Sequence, residues 1–195
     1  MSEEKEDFFM TTNNRGAALK SDIKLFGSTK VMVLAALLIA VSVVGKSLRV
    51  DLFSVIRISA ETLPILMAGI FFGPFIGAAV GAGADLIGCL VTGMTPMPLI
   101  TVGAAATGFF AGLTYNHVFK SKLLPRIACA VAIARLIGSL MINTTGLYFL
   151  FPAMRPQLIW RPVTNVIMAV IETFIIYMLM NNKAFLSQLE KIKRK

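Results

Sequence analysis

The chain has 195 residues, 56% hydrophobic and 15% charged, and its mean hydropathy is +0.78. A soluble domain cannot hide that much apolar surface, so the composition specifies one integral membrane domain with several spans. The net charge of +9 would suit nucleic acid in a soluble protein, but the basic residues gather at the chain ends and in one short loop, as topology signals do.

Residues 1–27 mix acids, Thr-Asn-Asn, Gly and lysines with little periodicity and are expected to form a mobile cytoplasmic tail. The acidic start MSEEKEDFF does not resemble a signal peptide, and no small-residue cleavage site follows the first apolar run. The first helix is therefore expected to stay in the mature protein. Val31 to Val44 is free of charge and, with its flanks from Ser28 to Ser47, is long enough to cross a hydrocarbon core of ~30 Å. GKSLRVDLFSVIRISA then mixes Lys46, Arg49, Asp51 and Arg57 with β-branched residues and reads as a long, partly extended loop. The second helix, Glu61 to Phe72, is short and carries Pro64 in its first turn, where a missing N–H costs little.

The third helix runs from Phe75 to Val91, and TGMTPMP forms a turn. The fourth covers Leu99 to Phe119, KSKLLPR is a basic connector, and the fifth covers Arg126 to Leu150. The loop FPAMRPQLIWRP leads to a sixth helix from Val163 to Met180. The expected fold is all-α: a six-helix transmembrane domain over residues 28–181, followed by a basic cytoplasmic tail over 182–195.

Two apolar runs joined only by Gly73-Pro74 form the central stretch, residues 57–93. Glycine recurs at Gly69, Gly73, Gly77 and Gly81, which puts a row of small residues on one helix face, where membrane helices approach closely. Asp85 lies inside the second run. An acid there costs roughly 3 kcal/mol on insertion scales, so it must face protein, water or a ligand. It is either a ligand acceptor or a hydrogen-bond partner of a neighbouring helix.

Thirteen of the nineteen Lys and Arg residues fall on one side if both termini share it, against five on the other. The positive-inside rule then puts both termini in the cytoplasm. Arg135 and Glu172 each lie about nine residues from the cytoplasmic ends of their helices, roughly 13 Å deep, and are expected to form a buried ion pair.

Ala40-Val41-Ser42-Val43-Val44-Gly45-Lys46-Ser47 imitates a phosphate-binding loop, but a membrane helix end lacks the strand-turn-helix context that such a loop needs. ATP hydrolysis is therefore not expected. Asn143-Thr144-Thr145 matches a glycosylation sequon inside a span, and Asn143 reads instead as a hydrogen-bonding residue of the bundle. His117 is a lone interfacial residue. Cys89 and Cys129 lack metal-site spacing, so neither metal nor cofactor is expected, and no nucleophile-and-base set points to an enzyme.

The candidate substrate-binding cluster lies at the outer face: Arg49, Arg57, Glu61, Met97, Asn143, Arg155, Trp160 and Arg161, with Asp85 below them. Arginine forks suit carboxylates, tryptophan suits stacking, and a buried carboxylate accepts paired N–H donors from a heterocycle. A flat, anionic small molecule would satisfy such a set. The alternative is that the arginines pair with Asp51 and Glu61 or meet lipid headgroups.

ETLPILMAGIFFGPFIGAAVGAGADLIGCL, TPMPLITVGAAATGFFAGL, NTTGLYFL and RPVTNVIMAVIETFIIYMLM, in that order, resemble the S components of energy-coupling-factor (ECF) vitamin transporters, most closely the folate family. The resemblance covers about Thr29 to Met180. It implies a multi-pass cell-membrane protein of a prokaryote that captures folate outside the cell. It also implies partnership with a transmembrane scaffold subunit and two cytoplasmic ATPases, with no catalysis by this chain. Ala36-Leu37-Leu38-Ile39-Ala40 matches the family's AxxxA motif, which implies docking to the scaffold through Ala36 and Ala40. Pantothenate, a pyrimidine precursor or a queuosine precursor are the alternative cargoes. A membrane enzyme or a purely structural subunit are the readings outside the family.

Overall fold

A computed structural model describes residues 28–48, 50–52, 56–58, 60–117, 123–150 and 160–182. The expected tail at 1–27, all of the tail at 182–195 except Asn182, and residues 120–122 of the basic connector lie outside them. Six apolar helices form in chain order: α1 Thr29–Ser47, α2 Thr62–Phe72, α3 Pro74–Thr92, α4 Pro98–His117, α5 and α6 Arg161–Asn181. Helix α5 begins as Leu123–Ala134, widens to π geometry over Arg135–Asn143 and returns to α geometry over Thr144–Leu150. Five of the six are long and apolar enough to cross a membrane, and the all-α class holds. The extended part of the first loop is an antiparallel ribbon of β1, Val50–Leu52, and β2, Ile56–Ile58, in which Asp51 stands opposite Arg57.

Helix α2 has 11 residues, about 16 Å at 1.5 Å per residue, too short to cross alone. It is buried nearly all round, from Pro64 through Phe72 with only Met67 partly open, so the shortest helix is the core and the longer ones shield it from lipid. Its link to α3 is the single residue Gly73, whose φ of 95° is left-handed territory that favours glycine. Pro74 then starts α3 at a position where its missing N–H costs nothing.

The expected glycine row is a seam. A Cβ at Gly69 or Gly77 would run into the carbonyl oxygen of Gly108, and one at Gly81 into that of Ala104. Gly108 and Gly112 of α4 meet the backbone of Gly77 and of Gly69 and Gly73 in return. Helix α4 therefore lies against α2 and α3 at backbone distance, a closeness that only small residues permit.

Helix α6 has two opposed stripes. Met168, Glu172, Ile176 and Met180 are buried, while Val166, Val170, Phe174 and Met178 are exposed. The stripes are offset by two residues, which is half a helical turn, so the second one is the face for lipid. Arg135 and Glu172 meet inside as the depth argument requires. Nε donates to Oε2 at 2.6 Å, a second N–H bonds Oε1 in parallel, and Nη1 donates to Asn165 Oδ1 at 3.0 Å.

Helix α1 ends at Ser47, where the flank of the expected span ends, so Gly45, Lys46 and Ser47, which also opened the expected loop, are helical. Helix α5 starts at Leu123 rather than Arg126, because Pro125 is tolerated within a first turn.

Arg135→Ala is expected to destabilise the protein by about 3–5 kcal/mol by stranding Glu172 at 1% exposure. Changing both residues to Met should recover part of that loss. Thermal unfolding in detergent compares them, and equal loss from the single and double changes would contradict the pair.

Candidate functional site

Because the helices alternate in direction, the C-terminal ends of α1, α3 and α5 share one end of the bundle with the N-terminal ends of α2, α4 and α6. The β-ribbon follows α1 in the chain, and β2 lies against α6. Side-chain bonds tie the ends together. Ser42 Oγ donates to the Glu61 carbonyl at 2.7 Å, and Arg161 donates to Thr144 Oγ1 at 3.2 Å.

Asp85 sits at the floor of this end, 7% exposed. Its Oδ1 accepts from Lys46 Nζ at 2.7 Å and its Oδ2 from Thr101 Oγ1 at 2.7 Å. Lys46, itself buried, also reaches the Asp85 carbonyl and Cys89 Sγ, each at 3.4 Å. Asp85, Gly88 and Cys89 fall on one face of α3 at i, i+3 and i+4. Gly88 makes room for the lysine, since a Cβ there would come within 2.7 Å of Lys46 Cδ.

Sequence reading missed Lys46 and Thr101 as partners of Asp85. The signal was present. A lone cation in the last turn of one apolar helix and a lone acid inside another are the two charges that a membrane interior forces together. Depth counting hid the match, because it compares Cα positions and ignores the four-carbon stem that lets a lysine head reach along the helix.

The other expected site residues distribute as follows. Met97 precedes α4 and its carbonyl accepts from the Ile100 and Thr101 N–H groups and from Thr101 Oγ1, so it adjoins the Asp85 floor. Asn143 closes the π segment of α5 against α4, and its buried Oδ1 has no hydrogen-bond donor. That oxygen sits where a Cβ of Gly103 would be, an arrangement suited to a weak Cα–H contact. Glu61 precedes α2 and is partly buried, and Trp160 precedes α6 at 51% exposure. Arg161 is in the first turn of α6, with Thr144 as its contact on α5. Arg57 lies in β2, whereas Arg49 and Arg155 fall outside the described residues. Ala36 and Ala40 are both exposed on α1, on one face with Val33, Leu37 and Val44.

The cleft between α5 and α6 has a volume of about 560 Å³, enough for a small ligand. Its walls are mostly hydrocarbon, including Leu136, Val166, Val170 and Phe174, and Arg135, its charged lining residue, is already engaged by Glu172. It lacks the buried carboxylate that Lys46 and Thr101 hold at the end described above. Among the described residues no group of His, Cys, Asp and Glu is arranged to hold a metal ion.

Gly103→Ala is expected to cost about 1–3 kcal/mol by forcing a methyl group onto Asn143 Oδ1. Adding Asn143→Ala should relieve most of it. Thermal unfolding of both variants checks this, and additive losses would contradict the contact.

Comparison with known proteins agrees with the architecture described. A folate transporter, FolT, of Clostridium novyi (strain NT) is 28% identical over 150 residues, which is 75% of this chain and 86% of the relative. An uncharacterized protein of Mycoplasma pneumoniae, a homologue of MG313, is 31% identical over 91 residues, 47% of this chain and 32% of that protein. The crystal structure of FolT bound with folic acid superposes with a TM-score of 0.65 at 25% identity, covering 78% of this chain and 93% of that one. A bacterial ECF transporter S component superposes at 0.62 with 15% identity, over 78% and 96% of the two chains, and bears on the fold alone. Residues 30–181 match the family described as ECF transporter, substrate-specific component, so this multi-pass membrane chain belongs to the S components of ECF transporters and is a transport protein rather than an enzyme.

Proposed function

We propose that this S component binds folate at the end of the bundle where α1, α3 and α5 finish, facing the outside of the cell, with both termini in the cytoplasm. Residues 28–181 form the binding domain, and the tails 1–27 and 182–195 flank it. Folate is then delivered inward by association with a membrane scaffold subunit and two ATPases. The observation that carries the reading is the buried Asp85 carboxylate, held from two sides by Lys46 and Thr101, at the end of the bundle where α6 begins with Trp160 and Arg161. Such a floor suits a pterin edge, which offers an amino group beside a ring N–H as parallel donors. Arg49, Arg57, Arg155 and Arg161, with Met97, Asn143 and Glu61 around the floor, suit the glutamate tail and the ring surround. Similarity to FolT, and to a structure of FolT bound with folic acid, supports the same cargo.

Calorimetric titration of the purified chain with folic acid tests the reading. Asp85→Asn should weaken binding by about 2–5 kcal/mol, because it exchanges a charged acceptor pair for a group that points one donor at a donor. Arg161→Ala, at the wet rim, should cost about 1 kcal/mol. A parent that ignores folate but binds pantothenate, or a pyrimidine or queuosine precursor, refutes the cargo. A parent that binds no small molecule favours a structural subunit.

Docking to the scaffold is assigned to the exposed alanine face of α1, where Ala36 and Ala40 allow a partner helix to approach to backbone contact. Ala36→Trp or Ala40→Trp should abolish folate uptake by cells while leaving folate binding to the isolated protein unchanged. Normal uptake by both variants would remove this face from the transport step.

A further inference from the structure

We propose that Lys46 determines specificity at this site: by neutralising Asp85 from the α1 side, it restricts the floor to an uncharged ring edge that presents two hydrogen-bond donors. The inference rests on the folate reading and adds to it the charge class of the ring and the residue that enforces it.

The geometry is specific. An ionised carboxylate offers about four lone-pair directions, two on each oxygen. Lys46 Nζ occupies one on Oδ1 and Thr101 Oγ1 one on Oδ2, each at 2.7 Å. Cys89 Sγ also approaches Oδ1, at 3.9 Å, a weak thiol contact that an N–H donor can displace, and a parallel pair of donors on one molecular edge fits the direction so freed and the one left on Oδ2. The lysine lies in a lane built for it: Gly88 lacks the Cβ that would collide with its stem, Ser42 fastens α1 to the start of α2, and Gly45 rests on the backbone of Ala60 and Glu61. Cys89 closes the far side at 3.4 Å from Nζ.

The charge consequence follows. Lys46 and Asp85 together are neutral, and Glu61, the other acid acting on the lysine, is partly open to solvent that screens it, so a neutral ring adds no net charge to the buried floor. A protonated ring would leave one uncompensated positive charge there, which is expensive away from water. Without Lys46 the order reverses, because a lone buried carboxylate favours a cationic ring. Folic acid, a 2-amino-4-oxopteridine, has a neutral ring near neutral pH. A 2,4-diaminopteridine such as methotrexate has the same tail and a ring that takes up a proton more readily.

Calorimetric titration of both ligands against the full-length protein in detergent measures the preference. The parent should prefer folic acid. Lys46→Gln should move the ratio of dissociation constants at least about tenfold toward methotrexate, the scale of one charge-assisted hydrogen bond, whereas Lys46→Arg, which keeps the cation, should hold the parent's ratio. Gly88→Ala leaves every charge in place and only pushes the lysine stem aside, so it should move the ratio the same way by a smaller factor. It decides the question if Lys46→Gln does not fold. Folic acid binding with an unmoved ratio in Lys46→Gln, or in Gly88→Ala where that variant decides, overturns the role of Lys46. A parent that binds neither pteridine overturns the folate reading itself.

Discussion

The structure depends on backbone contact between α4 and the α2–α3 hairpin. Lipid is as apolar as leucine, so hydrophobic burial alone gives membrane helices little reason to associate, and close van der Waals fit must do it. Here the fit runs from Gly69 and Gly77 against Gly108 to Gly81 against Ala104. Once α4 is seated, an 11-residue helix can sit at the centre without spanning the bilayer, because neighbouring helices cover its polar ends. The same seating brings Thr101, near the start of α4, to Asp85 on α3. Packing of the seam and construction of the floor are thus one event, and a bulky residue in the seam would disturb both.

Much of this was readable in the sequence because membrane constraints are severe. Charge-free runs gave the helices to within a few residues, a four-residue glycine spacing announced the seam, and a matched depth paired Arg135 with Glu172. The misses have particular causes. The π segment of α5 has no signature in composition or period, since Arg135–Asn143 reads as ordinary apolar helix. Lys46 was placed in a loop because lysine normally ends a span, and only the three-dimensional lane over Gly88 reveals that its head turns inward. Asp85 stood between two readings, ligand acceptor and helix-bonding residue. Its bonds to α1 and α4 establish the second role and leave acceptor capacity for the first.

The π segment matters to the same end of the bundle. Widening a helix by one residue per turn shifts the side chains beyond it around the axis, and such insertions recur at functional sites. In α5 the shift falls between Arg135, locked to α6, and Asn143, pressed on Gly103 of α4. One helix therefore serves two neighbours that a regular spiral would not address in the same register. Thr144, next along, receives Arg161 and returns the start of α6 to the bundle end.

The two intramembrane ion pairs differ in a way that separates support from recognition. Glu172 is 1% exposed and faces a planar guanidinium that occupies both of its oxygens and also bonds Asn165. A bidentate pair of this kind is geometrically complete, and Asn165, which donates in turn to the Arg161 carbonyl at 3.0 Å, ties it to the first turn of α6. Asp85 is held by separate donors on different helices, the charged Lys46 of α1 and the neutral Thr101 of α4, with the Cys89 thiol of its own helix at 3.9 Å. A point-charge lysine with rotatable donors fixes one carboxylate oxygen of Asp85. The chain thus uses arginine where one side chain clamps both oxygens of an acid and lysine where an acid is shared among donors from several helices.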